Sequence, residues 1–241
     1  MKDQIKNALE TQKEIFGDEL FTPEIKIEKP SKTKISYSVE ESVDVLFEPS
    51  YEFEHIKTLE DFYNEINTCQ KCPLGKSRNK FVFGTGNPDA DIMLIGEAPG
   101  ADEDRLGEPF VGRAGKLLTD ILRAINLTRE EIYIANILKC RPPNNRDPLP
   151  EEREMCMPYL LKQIDLINPK LILCLGRVAA TTLLNKKESL TKMRGQVYDF
   201  RGIKLMVTYH PAALLRNPQW KRPVWEDVQK FRKLYDELKE N

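Results

Sequence analysis

The chain has 241 residues, 31% of them charged and 40% hydrophobic, and its 37 Lys and Arg nearly balance its 38 Asp and Glu. It contains no continuous apolar run long enough for a membrane-spanning helix, which excludes an integral membrane protein of that type. The first residues, MKDQIKNALETQKEIFGDE, lack the apolar core of a signal peptide. We therefore expect a cytoplasmic protein that does not bind a membrane.

Charge divides the chain into two parts. Residues 1–55 carry 7 basic and 13 acidic residues, so residues 56–241 carry the remaining 30 basic and 25 acidic ones. We predict a charged N-terminal extension and linker over 1–55, partly disordered, and a folded domain over 56–241. The spacing of Ile5, Leu9, Ile15 and Phe16 is typical of an amphipathic helix. That helix is either a dispensable tail or a docking element for a partner.

The folded domain alternates short apolar runs with longer amphipathic ones. Predicted strands are Asp91–Ile95, Ile132–Ile137, Leu171–Leu175 and Lys204–Tyr209. Predicted helices are Leu59–Asn67, Arg113–Ile125, Glu151–Ile167, Val178–Leu184 and Val224–Leu238. Apolar strands separated by helices favour an α/β fold with a parallel sheet covered on both faces.

Polar residues cluster just after three of these strands, in GEAPGADED, LKCRPPNNR and HPAALLRNP. Ligands of open α/β sheets bind at the carboxyl ends of the strands, so we expect the site there. The loop Gly96–Lys116 is rich in glycine but also in carboxylates, and it has neither the dinucleotide nor the Walker spacing. Nucleoside triphosphate binding is therefore disfavoured.

Six residues near these strand ends form a chemically useful set. They are Glu97, Glu103, Phe110, Asn136, Asn145 and His210. Each has an ordinary structural explanation by itself, such as a core aromatic or a turn amide. Together they offer an aromatic plate, an amide that can read a base edge, carboxylates beside a sugar and an imidazole for developing charge. This set suits binding a planar base and cleaving its glycosidic bond.

Four of the five cysteines have the spacing of a metal site. Cys69 and Cys72 form a C-x-x-C pair, and Cys140 and Cys156 follow at a distance. Without a secretion signal, a disulfide framework is disfavoured. Four thiolates suit an iron–sulfur cluster or zinc, and the spacing alone leaves both, and the absence of metal, open. Cys174 lies within a predicted strand and is expected to be a buried small side chain.

The segments GEAPGADED…GEPFVGRAGKLL, NILKCRPPNNR and YHPAALLRNP, with the four cysteines, resemble the family 4 uracil-DNA glycosylases over residues 59–238. The resemblance implies the uracil-DNA glycosylase fold, with three layers and a central four-stranded parallel sheet flanked by helices. It implies a 4Fe–4S cluster on Cys69, Cys72, Cys140 and Cys156. It also implies a monofunctional enzyme of base excision repair that removes uracil from DNA and leaves an abasic site.

The resemblance also assigns roles to individual residues. It implies that Glu97 and Glu103 are the active-site carboxylates, Phe110 the base-stacking plate, Asn136 the uracil-reading amide and His210 the imidazole near the uracil carbonyl. Gly96 and Ala98 belong to the same substrate-binding loop. Ala98 occupies the position of the water-activating Asp of family 1 enzymes, so the water-orienting residue stays open between Glu97, Glu103 and Asn145. No segment like the KRRIH insertion of the DNA-crosslinking relatives occurs, which predicts turnover.

The loop HPAALLRNPQWKR is expected to probe the DNA strand. Leu214 or Leu215 would fill the gap left by the extruded base, and Arg216, Lys221 and Arg222 would meet phosphates. The protein is expected to be a monomer, and its substrate to be DNA with uracil in a single strand or in a U·G mismatch, where extrusion costs least. The extension could dock a repair or replication partner. Two alternatives are a nucleic-acid-binding module that has lost catalysis and a zinc-stapled α/β hydrolase of nucleosides.

Overall fold

The computed structural model describes residues 51–240 together with Glu10, residues 12–15 and Gly17. Its strands are β1 (Thr85–Gly86), β2 (Ile92–Gly96), β3 (Tyr133–Asn136), β4 (Leu171–Leu175), β5 (Val197–Phe200) and β6 (Ile203–Thr208). Its α-helices in 51–240 are α1 (Leu59–Ile66), α2 (Leu74–Ser77), α3 (Ala101–Leu106), α4 (Arg113–Ala124), α5 (Pro150–Ile167), α6 (Arg177–Leu184), α7 (Leu190–Met193), α8 (Pro211–Arg216) and α9 (Lys221–Glu240).

The six strands form one mixed sheet in the order β1-β3-β2-β4-β6-β5. The four predicted strands are its parallel centre, which confirms the expected four-stranded parallel sheet. Two antiparallel edge strands were not predicted. β1 has only two residues, and β5 is the first arm of a hairpin whose turn uses Arg201 and Gly202 at positive φ.

Apolar side chains cover both faces of the sheet, which confirms three layers. One face packs against residues of α1, α5 and α6, including Phe62, Leu160 and Leu183. The other face packs against α4 and α9 through residues such as Leu118 and Phe231. Because the strands are buried on both sides, their near-continuous apolar sequences are the expected ones.

All five predicted helices are confirmed to within a few residues. The long helix α5 begins at Pro150, where the carboxylate of Glu152 accepts the Leu149 N–H at 2.9 Å. Four short helices were not predicted, and α3 is the important one because it lies inside the acidic loop. The Glu103 carboxylate accepts the Gly100 N–H at its start, and Gly107 at φ 85° ends it.

Most of the predicted N-terminal helix and linker, including Ile5, Leu9 and Phe16, lies outside the described residues. Residues 12–15 are helical. Gln12 Nε2 donates to the Ala124 carbonyl at 2.9 Å, and Ile15 is buried among the residues around α4. This part of the extension therefore contacts the domain. In the described part of the chain, no helix is both long and apolar enough to cross a membrane.

Candidate active site

A cavity of about 340 Å³ opens at the carboxyl ends of β2, β3 and β6. It brings together eight of the residues singled out in the sequence: Glu97, Ala98, Glu103, Phe110, Asn136, Asn145, His210 and Arg216. The prediction that the strand-end residues would converge is confirmed. The remaining loop residue, Gly96, lies beneath this cavity.

Gly96 makes room for the two groups above it. It is the register partner of Asn136 across β2 and β3. A Cβ atom at position 96 would lie 2.4 Å from Asn136 Oδ1 and 2.7 Å from Phe110 Cζ. Only glycine therefore allows the amide and the aromatic ring to approach each other here.

Phe110 is held in an unusual backbone conformation, with φ at 54°. Arg129 donates to the Phe110 carbonyl at 3.2 Å and to the Pro109 carbonyl at 3.0 Å. Gly115 packs directly against the Phe110 carbonyl, because a Cβ there would lie 1.8 Å from its oxygen. A bulky residue at positive φ persists only where its surroundings enforce it. The ring is thus a fixed plate, and it stacks on His210 with centroids 5.3 Å apart.

Asn136 ends β3 with its side chain buried, at 2% exposure. Its Oδ1 atom has no hydrogen-bond partner within the described residues. Leaving a buried amide oxygen unpaired costs roughly 1–3 kcal/mol. A ligand with an N–H group that entered the cavity would satisfy it.

His210 precedes α8, and its Nδ1 accepts the Ala212 N–H at 3.2 Å. The hydrogen of the neutral ring is therefore on Nε2. Burial, together with the charge of Arg216, lowers the pKa of His210 to about 4, against the opposite effect of Glu103. At neutral pH the imidazole is an uncharged hydrogen-bond donor.

The two glutamates have different surroundings. Burial, followed by repulsion from Asp147, raises the pKa of Glu97 to about 7, while Arg177 and Arg153 oppose the shift. Among the described residues its carboxylate forms no hydrogen bond or ion pair. The Glu103 carboxylate instead accepts N–H groups from Gly100 at 3.1 Å and from Val111 and Gly112 at 3.0 Å each.

Asn145 and Asp147 lie on the loop after β3. Asn145 is exposed, and its Oδ1 accepts from Arg141 Nε at 2.8 Å. Asp147 lines the cavity and pairs with Arg177 at 2.8 Å. Sequence reasoning missed Asp147, although it follows the segment LKCRPPNNR directly. A carboxylate directly after this polar strand-end segment was the signal that could have identified it.

The expected DNA-probing segment forms α8, a 3₁₀ turn over Pro218–Trp220 and the first two residues of α9. Leu214 is 1% exposed and belongs to the core, so the structure removes it as a candidate wedge. Leu215 is 42% exposed. Arg216 and Arg222 are exposed and Lys221 is half-buried. This segment therefore exposes one leucine and carries three cations, of which Arg216 lines the cavity.

The four cysteines predicted to bind metal belong to, or pack against, the hydrophobic cluster that contains residues of α1 and α5. Burial raises the pKa of Cys140, with a smaller contribution from Cys72 and Cys69, while Arg78 opposes the shift. Burial and the neighbouring Cys140 and Cys72 likewise raise the pKa of Cys156 to about 12. Cys174 is buried in β4, as expected.

Protein donors surround these sulfurs. Tyr159 Oη donates to Cys69 Sγ at 3.1 Å, Arg78 Nη1 to Cys140 Sγ at 3.3 Å, and the Lys139 N–H to Cys156 Sγ at 3.4 Å. Within residues 51–240 and the few described before them, no group of three or more His, Cys, Asp or Glu side chains is placed so that it could hold a metal ion.

Comparison with known proteins gives a consistent result. The family model described as "Uracil DNA glycosylase superfamily" matches residues 83–239. The chain is 46% identical over 187 residues to a protein of Archaeoglobus fulgidus named "Type-4 uracil-DNA glycosylase", covering 74% of this chain and 94% of the relative. A Thermotoga maritima protein of the same name is 48% identical over 68% of this chain and 88% of its own length. A "Type-5 uracil-DNA glycosylase" of Pyrobaculum aerophilum is 26% identical over 64% and 83%.

Proposed function

Because the chain belongs to the uracil-DNA glycosylase superfamily, we propose that it hydrolyses the N-glycosidic bond of uracil in DNA and leaves an abasic site. The buried, unpaired Oδ1 of Asn136, beneath the fixed Phe110 ring, is the observation that carries this proposal. A cavity with an aromatic plate above a buried amide suits a single planar base that offers both a donor and an acceptor. Uracil, with its N3–H and its O4, is such a base.

A base inside a duplex cannot reach this cavity, so the nucleotide must first leave the stack. Once extruded, its ring would stack on Phe110. Asn136 Oδ1 would accept the N3–H, and Nδ2 would donate to O4. This pairing discriminates uracil from cytosine, whose ring nitrogen carries no hydrogen there.

Bond cleavage sends the electrons of the C1′–N1 bond into the uracil ring. Negative charge then develops on the O2 carbonyl, and the Nε2–H of neutral His210 would stabilise it. Positive charge develops on the sugar. A water oxygen bonds to C1′, and a carboxylate accepts the proton that the water loses.

We propose that Glu97, rather than Glu103 or Asn145, orients the attacking water and accepts its proton. The Glu103 oxygens already accept three backbone N–H groups, so Glu103 organises the loop that carries Phe110. Asn145 accepts from Arg141 and has no basic group. Glu97 is unpaired among the described residues, and its raised pKa suits proton transfer near neutral pH.

The DNA strand would lie along α8. Leu215 would occupy the space of the extruded base, while Arg216, Lys221 and Arg222 neutralise phosphates. We propose single-stranded uracil DNA and U·G mismatches as substrates of a cytoplasmic monomer. The contacts of Gln12 and Ile15 with the domain favour docking of the extension on its own chain before any repair or replication partner.

We propose that Cys69, Cys72, Cys140 and Cys156 hold a 4Fe–4S cluster. The donor set fits, because three of the sulfurs accept hydrogen bonds, which stabilise thiolates. Four thiolates suit either an iron–sulfur cluster or a structural zinc, and the resemblance to the family 4 uracil-DNA glycosylases favours the cluster. When bound, the cluster would tie the segment at Cys69–Cys72 to α5 and the loop after β3.

The decisive experiment is cleavage of a labelled oligonucleotide. The protein should produce alkali-labile sites in single-stranded uracil DNA and in U·G duplexes. It should produce none in matched thymine oligonucleotides and no strand break before alkali. Binding of uracil DNA without abasic product by a cluster-loaded preparation would instead support a binding module, and the proposal would be wrong.

A further inference from the structure

Lys139 is a fully buried cation between the cysteine site and the cavity. Its side chain has 0% exposure. The ammonium donates to the Asn136 carbonyl at 2.9 Å and to Gln163 Oε1 at 2.6 Å. Both acceptors are neutral, so these hydrogen bonds leave its charge uncompensated.

An ammonium buried without a counter-charge is strongly unfavourable. Within residues 51–240 no carboxylate forms an ion pair with Lys139, and its neighbour in the chain is Cys140. The Lys139 N–H also donates to Cys156 Sγ. Thiolate ligands at the cysteine site would supply the negative charge that compensates this ammonium.

The same lysine holds the end of β3. The Asn136 carbonyl accepts a hydrogen bond from the ammonium, and the Asn136 side chain lines the cavity. The next two N–H groups, of Ile137 and Leu138, donate to the carbonyls of Gly96 and Glu97 at 3.0 Å each. Residues 136–139 therefore bond to the active-site loop on one side and to the cysteine site on the other.

We propose that Lys139 is a positioning residue that couples the cysteine site to the amide that reads the base. Its ammonium compensates the thiolate ligands, and its hydrogen bond to the Asn136 carbonyl fixes that residue. The inference rests on the proposed function for the identity of the base and on the proposed cluster for the counter-charge. Removing the metal should therefore loosen residues 136–139 and weaken base binding.

The first test compares Lys139→Met, which keeps the length but removes the charge, with Gln163→Leu, which removes the other acceptor of the ammonium but keeps the charge and the bond to the Asn136 carbonyl. The readouts are iron release to a chelator and calorimetric affinity for free uracil. We expect Lys139→Met to speed iron release and weaken uracil binding, each about tenfold, because it removes both the charge beside the cysteines and the hydrogen bond to the Asn136 carbonyl. Gln163→Leu should change both by less than about threefold, and binding of uracil-free single-stranded DNA should be unchanged in either variant.

Wild-type iron retention and uracil affinity in Lys139→Met would overturn the proposal. If that variant does not fold, amide hydrogen exchange of the unaltered protein before and after iron removal decides instead. The N–H groups of Ile137 and Leu138 should lose protection about tenfold, while those inside β6 keep theirs. Unchanged protection at 137 and 138 would contradict the coupling.

The outcomes separate this inference from the proposed function. A protein that shows the coupling but excises no uracil from DNA would disprove the function and leave the role of Lys139 intact. A protein that excises uracil with no bound metal, or with exchange insensitive to iron removal, would disprove the role of Lys139 alone.

Discussion

The base cavity and the cysteine site lie on either side of the end of β3, yet the hydrogen bonding of their polar atoms differs. In the cavity, Asn136 Oδ1 and the Glu97 carboxylate are without partners among the described residues. At the cysteine site, Cys69, Cys140 and Cys156 all accept hydrogen bonds from the protein. Unpaired groups are costly to the fold and available to a ligand, whereas paired sulfurs stabilise the scaffold. Substitutions in the two regions should therefore separate activity from stability.

Asn136→Ala should have the largest effect on activity. It removes the base-reading amide, and loss of hydrogen bonds in a site built for them should lower kcat/KM for uracil DNA about 10³-fold. The melting temperature should not fall, because the variant also removes an unpaired buried oxygen. Single-turnover kinetics and thermal unfolding check both halves. Wild-type kcat/KM would remove Asn136 from base recognition.

Cys140→Ala should affect stability rather than the chemistry of the cavity. Loss of a ligand should reduce bound iron and lower the free energy of unfolding by about 3 kcal/mol. Cys174→Ala is the matched control, because Cys174 is buried in β4 away from the site. It should cost about 1 kcal/mol and keep the iron. Iron analysis with denaturant unfolding measures both, and equal iron in the two variants would contradict the cysteine assignment.

Glu97→Gln tests the unpaired carboxylate. Wild-type kcat/KM should rise with pH and level off above about 7, where Glu97 is ionised. The variant should lack that rise and be about 10²-fold slower on the plateau.

The same substitution has a predicted effect on stability. The folded protein holds the Glu97 proton more tightly than the unfolded chain, so this carboxyl makes the protein less stable as pH rises from 4.5 to about 7. Glu97→Gln should therefore raise the melting temperature more at pH 8 than at pH 4. An equal change at the two pH values would contradict the burial of this group.

The smallest effect is expected at Leu215. Leu215→Ala should slow excision from duplex uracil DNA about fivefold, because a wedge offsets part of the cost of unstacking. Excision from single strands and the melting temperature should hardly change. Leu214→Ala should behave in the opposite way, with a loss of about 3 kcal/mol of stability. Equal slowing on single strands would exclude Leu215 as the wedge.

The sequence predicts much of this arrangement, because its strongest signals are the ones that determine it. Apolar runs define β2, β3, β4 and β6, and the residues after parallel strands must converge at one edge. The burial of Leu214 and Leu215 is harder to predict. The two residues are adjacent in a six-residue helix, and periodicity does not indicate which of them is buried. The conformation of the acidic loop depends on the hydrogen bonds that the Val111 and Gly112 N–H groups donate to Glu103. No local sequence pattern predicts these bonds.

Other parts of the site depend on contacts between distant residues. Arg129 reaches the Phe110 carbonyl from the loop before β3, and a lone arginine in a charged loop gives no sign of that. The burial of Lys139 is equally hidden, because lysine is among the residues least often buried. Both depend on tertiary packing rather than on a local sequence pattern.

The two outer strands of the sheet have a consequence for self-association. A long, flat edge strand can template pairing with another copy, and proteins often avoid this with short edges. Here one edge is the two-residue β1 and the other is the four-residue β5. A second copy adding a strand would gain few backbone hydrogen bonds at either edge. Backbone pairing at these two edges is therefore a weak route to self-association.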